Sequence, residues 1–245
     1  PPPPAPPPPA PPPPAPPPPA PPPPPAPSGF EGRVLDGNFQ GVRAFYDTNG
    51  DGVWQQGEVW ALVDADGKFT LAGFARAANG RVVVEAGGLD RFGHPLTARY
   101  FAGGDATSGV VSVLSTVLAL TPGLSQAALK SSLGINDAGV DLLHFDHAAA
   151  LRAGSLTGQE VSSANAQLLS ALDSLATAAG GGGAAFLKVA ANLGGQLLDA
   201  AAQAQNAPTM HILDVQHALA QAHASAVGTV SLGDLVGAVL DNLVS

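Results

Sequence analysis

The chain contains no cysteine. That removes disulfides, thiolate metal sites and a cysteine nucleophile together, and it suits both the cytoplasm and bacterial export routes that form no disulfides. Basic residues are scarce, 10 Lys and Arg against 19 Asp and Glu, for a net charge of −9. Phosphates call for a basic surface, so nucleic acid is not an expected partner, whereas surplus carboxylate suits divalent cations. Aromatic residues make up only 5% of a chain that is 45% hydrophobic. The core is therefore expected to be Ala, Val and Leu, each burying little area, so that a bound ion weighs more heavily in the stability. No uncharged apolar run reaches the roughly 18 residues of a membrane span, and the stretch 110–120 is too short. The N-terminus shows neither a basic n-region nor an apolar h-region, so the chain is expected to be a piece of a longer protein or to use another export signal. No Gly-x-Ser-x-Gly elbow and no glycine-rich phosphate fingerprint is present, and the expectation is a protein that is not an enzyme.

What is present divides the chain in three. Residues 1–27 are PPPPA repeats holding 22 of the 25 prolines. Proline fixes φ and lacks the N–H, so this tract is expected to be a polyproline II rod or linker of about 3.1 Å per residue. Its roles are a stiff spacer, a ligand for an aromatic groove or a packing element between copies. Residues 28–104 read as short strands over 32–35, 42–46, 58–63, 68–71, 81–85 and 96–101. Asp66-Gly67 and Asn79-Gly80 are hairpin signals between them, and the expected form is an antiparallel β-sandwich. From about Val110 the apolar period lengthens. Val161, Leu168, Leu172 and Leu175 share a helical face, as do Phe186, Val189, Leu193 and Leu197. Thr157 and Glu160 are spaced as a capping box, Thr121-Pro122 and Pro208-Thr209 mark helix starts, and Gly134 and the run 180–183 mark stops. A last helix is expected over 232–243. The fold class expected is α+β, with residues 105–245 forming a C-terminal α-helical bundle.

The most informative segment is Asp47-Thr-Asn49-Gly-Asp51-Gly52-Val53-Trp-Gln55-Gln-Gly-Glu58, which matches the twelve-residue EF-hand loop at each diagnostic position. Asp47, Asn49 and Asp51 stand at positions 1, 3 and 5, and Gly52 at 6 permits the sharp bend. Val53 at 7 offers its carbonyl, Gln55 at 9 acts through water, and Glu58 at 12 binds through both oxygens. Calcium is a hard cation that takes six to eight oxygens, and this spacing supplies them. The flanks read as strands, so the expected ion is structural and not a sensor that moves two helices. Asp64 and Asp66 are hairpin residues first and additional ligands second. Other groups carry less. His144, Asp146 and His147 are weighed as metal ligands, since His144 and His147 at i and i+3 share a helix face, but Asp146 more naturally caps the helix that follows. His211, His217 and His223 step by six and scatter around a helix.

The pattern resembles calcium-binding prealbumin-like or Ig-like modules of large secreted bacterial adhesins and repeat-rich surface proteins. The residues that carry the resemblance are Gly32–Gly37, Gly41–Asp47 with the loop, Val63–Leu71, Gly87–Asp90 and Val110–Thr116, then Leu133–Ile135, Val140–Leu143, Phe145-Asp146 and Ala164–Leu168. It implies an extracellular or bacterial cell-surface location, a structural or adhesive role, and calcium at Asp47, Asn49, Asp51 and Glu58. Neighbouring copies or modules are the expected partners, in a homo-oligomer, polymer or matrix. The alternative is a carbohydrate-binding module in which Trp54, Trp60, Tyr46 or Tyr100 offers a flat face to a glycan.

Overall fold

In a computed structural model the described residues are 1, 28–89, 93–104 and 106–204. Most of the proline tract, the three histidines His211, His217 and His223, the helix start at Pro208-Thr209 and the helix expected over 232–243 lie outside them.

The element order is β1 (Ser28–Val34), β2 (Arg43–Asp47), β3 (Trp60–Leu62), β4 (Lys68–Phe74), β5 (Arg81–Val84), β6 (Tyr100–Gly103) and β7 (Ser108–Val111). Five helices follow: α1 (Val113–Leu120), α2 (Gln126–Ser132), α3 (His147–Arg152), α4 (Leu156–Ala178) and α5 (Gly182–Ala204). The molecule is thus mixed α and β, with strands first and helices after. The strands form a three-stranded sheet, β4-β1-β7, and a four-stranded sheet, β3-β2-β5-β6. Alternation sets the faces. In β4, Phe69 and Leu71 are buried while Lys68, Thr70 and Ala72 are exposed, as a half-buried strand requires. Tyr46 of one sheet stacks on Phe74 of the other with ring centroids 4.0 Å apart.

The pairing departs from expectation in two ways. β7 pairs with β1 in parallel, Glu31 opposite Ser108 through Val34 opposite Val111, so the strands are not wholly antiparallel. A parallel partner needs a long crossover, and here the chain runs through the other five strands before returning. Consecutive strands β3, β4 and β5 also alternate between the sheets. The turns at Asp66-Gly67 and Asn79-Gly80 therefore carry the chain from one sheet to the other and close no hairpin. Gly67 has φ +78, and a Cβ there would lie 2.6 Å from the Val34 carbonyl oxygen. The close approach of β1 therefore requires glycine as firmly as the turn does.

The helices begin where side chains meet their first amides. Ser112 caps α1 in a reciprocal box with Ser115, Ser125 caps α2 and Asp146 caps α3 by accepting from Ala149 N at 2.8 Å. For α4 the cap is Ser155, whose Oγ accepts from Gly158 N at 3.1 Å, and not Thr157. The extended backbone of Ser155 places its hydroxyl at the first turn. Thr157 instead donates to Asp137 Oδ2 at 2.9 Å, and Glu160 accepts from Asn136. Thr121 ends α1 and does not start a helix. Leu168, Leu172 and Leu175 of α4, Phe186, Val189 and Leu193 of α5, and Phe30, Leu71 and Val82 from the sheets all belong to one continuous core.

Asp36 joins distant parts of this core. Its Oδ2 accepts from Val113 N at 2.5 Å at the start of α1, and its Oδ1 accepts from Asn165 Nδ2 at 2.5 Å in the middle of α4. Burial pushes its carboxyl up to about 7 from an ordinary 3.8, against the pull of those two hydrogen bonds. The folded state then keeps a proton that the unfolded chain loses above about pH 4. From this group, stability is highest below pH 4, falls as pH rises toward 7, and is flat beyond. Asp36→Asn removes that slope, on the order of a few kcal/mol. Melting temperatures from pH 5 to 8 check it, the variant gaining on the natural chain as the pH rises.

Candidate metal-binding loop

The segment between β2 and β3 is built around two buried carboxylates. Asp47 has no exposed surface and Glu58 is 8% exposed. Asp47 Oδ1 accepts from Gly50 N and Oδ2 from Gly52 N, both at 2.7 Å. These bonds wrap the loop around the side chain, and Gly50 and Gly52 take the positive φ of 79 and 75 that the wrap needs. Glu58 bridges the loop's two limbs: Oε1 accepts from Thr48 N at 2.8 Å and Thr48 Oγ1 at 3.0 Å, and Oε2 from Gln55 N at 3.0 Å.

The remaining expected ligands converge on Asp51. Asn49 Nδ2 lies 3.1 Å and Gln55 Nε2 2.6 Å from Asp51 Oδ2, while Val53 N donates to Asp51 Oδ1 at 2.7 Å. The Val53 amide foremost, then Gln55, Asn49 and Arg81, hold the Asp51 carboxyl below the usual carboxylate range, so it stays ionised into acid. Positions 3, 5 and 9 of the motif are thus drawn together, position 1 is fully enclosed, and position 12 closes the ring. Asp47, Asp51 and Glu58 present carboxylate oxygens of the hard type that calcium takes, whereas Asn49 and Gln55 turn their amide nitrogens to Asp51 and the Asn49 oxygen accepts from Asp51 N at 3.1 Å. Among the described residues no group of three or more His, Cys, Asp or Glu side chains is gathered tightly enough to hold a metal on its own. The carboxylates are engaged with backbone amides, and any ion here also relies on Asn49, Gln55 and the Val53 carbonyl.

Asp64 and Asp66 stand at the opposite end of β3 from this loop. Asp64 Oδ1 accepts from Asp66 N at 2.9 Å and Lys68 N at 2.8 Å, which organises the turn into β4. Tyr46 and Tyr100 are 1% and 0% exposed and offer no face to a sugar, whereas Trp60 is half exposed. His144 Nδ1 meets Asp141 Oδ2 at 2.7 Å and His147 Nδ1 meets Ser162 Oγ at 3.0 Å.

One residue of the loop's surroundings was not visible from the motif. Arg81 Nε lies 3.3 Å from Asp47 Oδ2 and its Nη2 donates to the Gly50 carbonyl. It is held there because Asp47 and Arg81 are register partners across β2 and β5 and its guanidinium lies 4.6 Å above the Phe101 ring. Comparison with protein-family models, with characterised proteins and with solved structures returns no match.

Asp47→Ala leaves two buried amides and a part-buried guanidinium without their acceptor. Its expected cost is about 3 kcal/mol, read as a lower denaturant midpoint at unchanged slope.

Proposed function

We propose that this chain is a non-catalytic, calcium-stabilised structural or adhesive module that works at a bacterial surface or in the extracellular space. Its two sheets are read as the leaves of an Ig-like or prealbumin-like sandwich. The observation that carries the reading is the enclosed Asp47 and the bridging Glu58, which stand at positions 1 and 12 of the calcium-loop pattern and close the segment on itself.

Calcium acts mechanically in this reading. Asp47, Asn49, Asp51, the Val53 carbonyl, Gln55 through water and Glu58 hold the ion, which ties the end of β2 to the start of β3. Both flanks are strands, β2 being locked in register to β3 and β5, so binding holds the fold together and exposes no groove. Sites of extracellular modules bind at about 10⁻⁴–10⁻³ M. Such a site is filled in a calcium-rich medium and empty inside a cell, so the chain gains its full stability after export. Neighbouring copies or modules are the partners this role calls for.

At 10 mM calcium and a dissociation constant of about 10⁻⁴ M, linkage contributes about 2.7 kcal/mol, or a rise of about 5–10 °C in Tm for a chain of this size. Glu58→Gln loses most of that rise. Thermal melts of both chains in calcium and in chelator measure it. A natural chain that melts at the same temperature in both, and refolds equally well, is incompatible with the reading.

A further inference from the structure

Among the described residues, the outward side of β3 is an apolar face without a cover. Phe45 pairs with Trp60 and Arg43 with Leu62 across β2 and β3, and directly opposed residues share a sheet face. Phe45 continues through Val83 to Phe101 on the same face. Over Phe45, Val83 and Phe101 the face is closed by Trp54 from the loop, by Ala119 and Leu120 of α1 and by Leu187 of α5. Over β3 nothing among the described residues continues that cover: Trp60 is 50% and Leu62 57% exposed. The Arg43 guanidinium lies 4.4 Å from the Trp54 ring centroid and 5.4 Å from that of Trp60. Glu85 sits 3.4 Å from Arg43 and offsets its charge. The result is a near-neutral aromatic face at a sheet edge.

Its hydrogen-bonding character is one-sided. Arg43 Nε and Trp54 Nε1 are buried donors with no acceptor among the described residues. Residues 1–27 have the opposite character: 22 prolines and five alanines, no charge, and carbonyls that far outnumber N–H groups. Proline-rich segments dock on aromatic-lined surfaces, ring against ring, with their carbonyls free to accept. The tract joins the fold at Ser28, the first residue of β1, in the sheet that does not contain β3. A segment of this composition advances about 3.1 Å per residue and resists sharp turns, because proline fixes φ.

We propose that the Arg43–Trp54–Trp60–Leu62 face receives the proline tract of a second copy of this chain, so that copies join head to tail. Such a contact is heterologous and does not close on itself, which makes chains of copies instead of dimers. It does not depend on calcium occupying the loop.

Both tryptophans of the chain belong to this face, so their emission reports on it when calcium is held constant. Sedimentation of the full chain over a concentration series up to about 1 mM should show growing species. An excess of a synthetic peptide of residues 1–15 should return them to monomer and shift the tryptophan emission. Trp60→Ala and Leu62→Ser, both exposed and each checked for an unchanged melting temperature, should weaken association about tenfold. Salt at about 0.5 M should leave it intact, since no charge pair forms it. Three results would each overturn the proposal. The first is a chain that stays monomeric to the highest concentration while the peptide leaves the emission unchanged. The second is association that neither the peptide nor Trp60→Ala disturbs. The third is an emission shift produced by oligosaccharides and not by the peptide.

Discussion

A carboxylate with no exposed surface has to be met from every side, and Asp47 is met by two backbone amides and a guanidinium. Burying that charge unpaired would cost several kcal/mol, so the loop must close whenever β2 takes its place in the sheet. The closure fixes the positive φ of Gly50 and Gly52, turns Asp51 toward Asn49 and Gln55, and brings Glu58 back to Thr48. Trp54 is carried over the sheet by the same wrap and completes the cover of Phe45, Val83 and Phe101. Arg81 sets a positive charge beside Asp47 and holds the Gly50 carbonyl, so the loop keeps its shape through the protein's own groups.

The same economy recurs at Asp36. One half-buried side chain reaches the first amide of α1 and an amide in the middle of α4, tying the strand region to the helices over a separation of 129 residues. With few aromatic residues available, the chain joins its parts through polar contacts of this kind as well as through the common core of sheets and helices. Asp47 and Asp36 differ in kind. Asp47 lies beside a permanent positive charge, whereas Asp36 has only neutral partners, and burial therefore raises its carboxyl toward neutrality.

The local features were legible in the sequence. Strand positions followed from β-branched and aromatic runs, and the buried faces of α4 and α5 from a 3.6-residue period, because both signals are set by burial on one side. The closure of segment 47–58 on itself was legible because its internal hydrogen bonds lie within eleven residues. Long-range pairing was not. Nothing near Asp66-Gly67 distinguishes a turn that closes a hairpin from one that crosses between sheets, and nothing in Ser108–Val111 announces a parallel pairing with β1. Arg81 escaped notice for the same reason: its role exists only once β5 is placed beside β2. The spacing points to Thr157 and the structure to Ser155 as the cap of α4, because both precede the apolar stripe and backbone geometry alone selects between them.

The proposed ion sits within Asp47–Glu58, and Trp54 lies inside that segment as a built-in sensitiser. Terbium, a hard trivalent stand-in for calcium, should give emission on excitation of tryptophan in the full chain. Calcium should displace it, with saturation at one ion per chain and loss of the signal in Glu58→Gln. No sensitised emission, or emission that calcium cannot quench, would mean that the loop is a turn held by its own amides and by Arg81, and that calcium has no part in the fold.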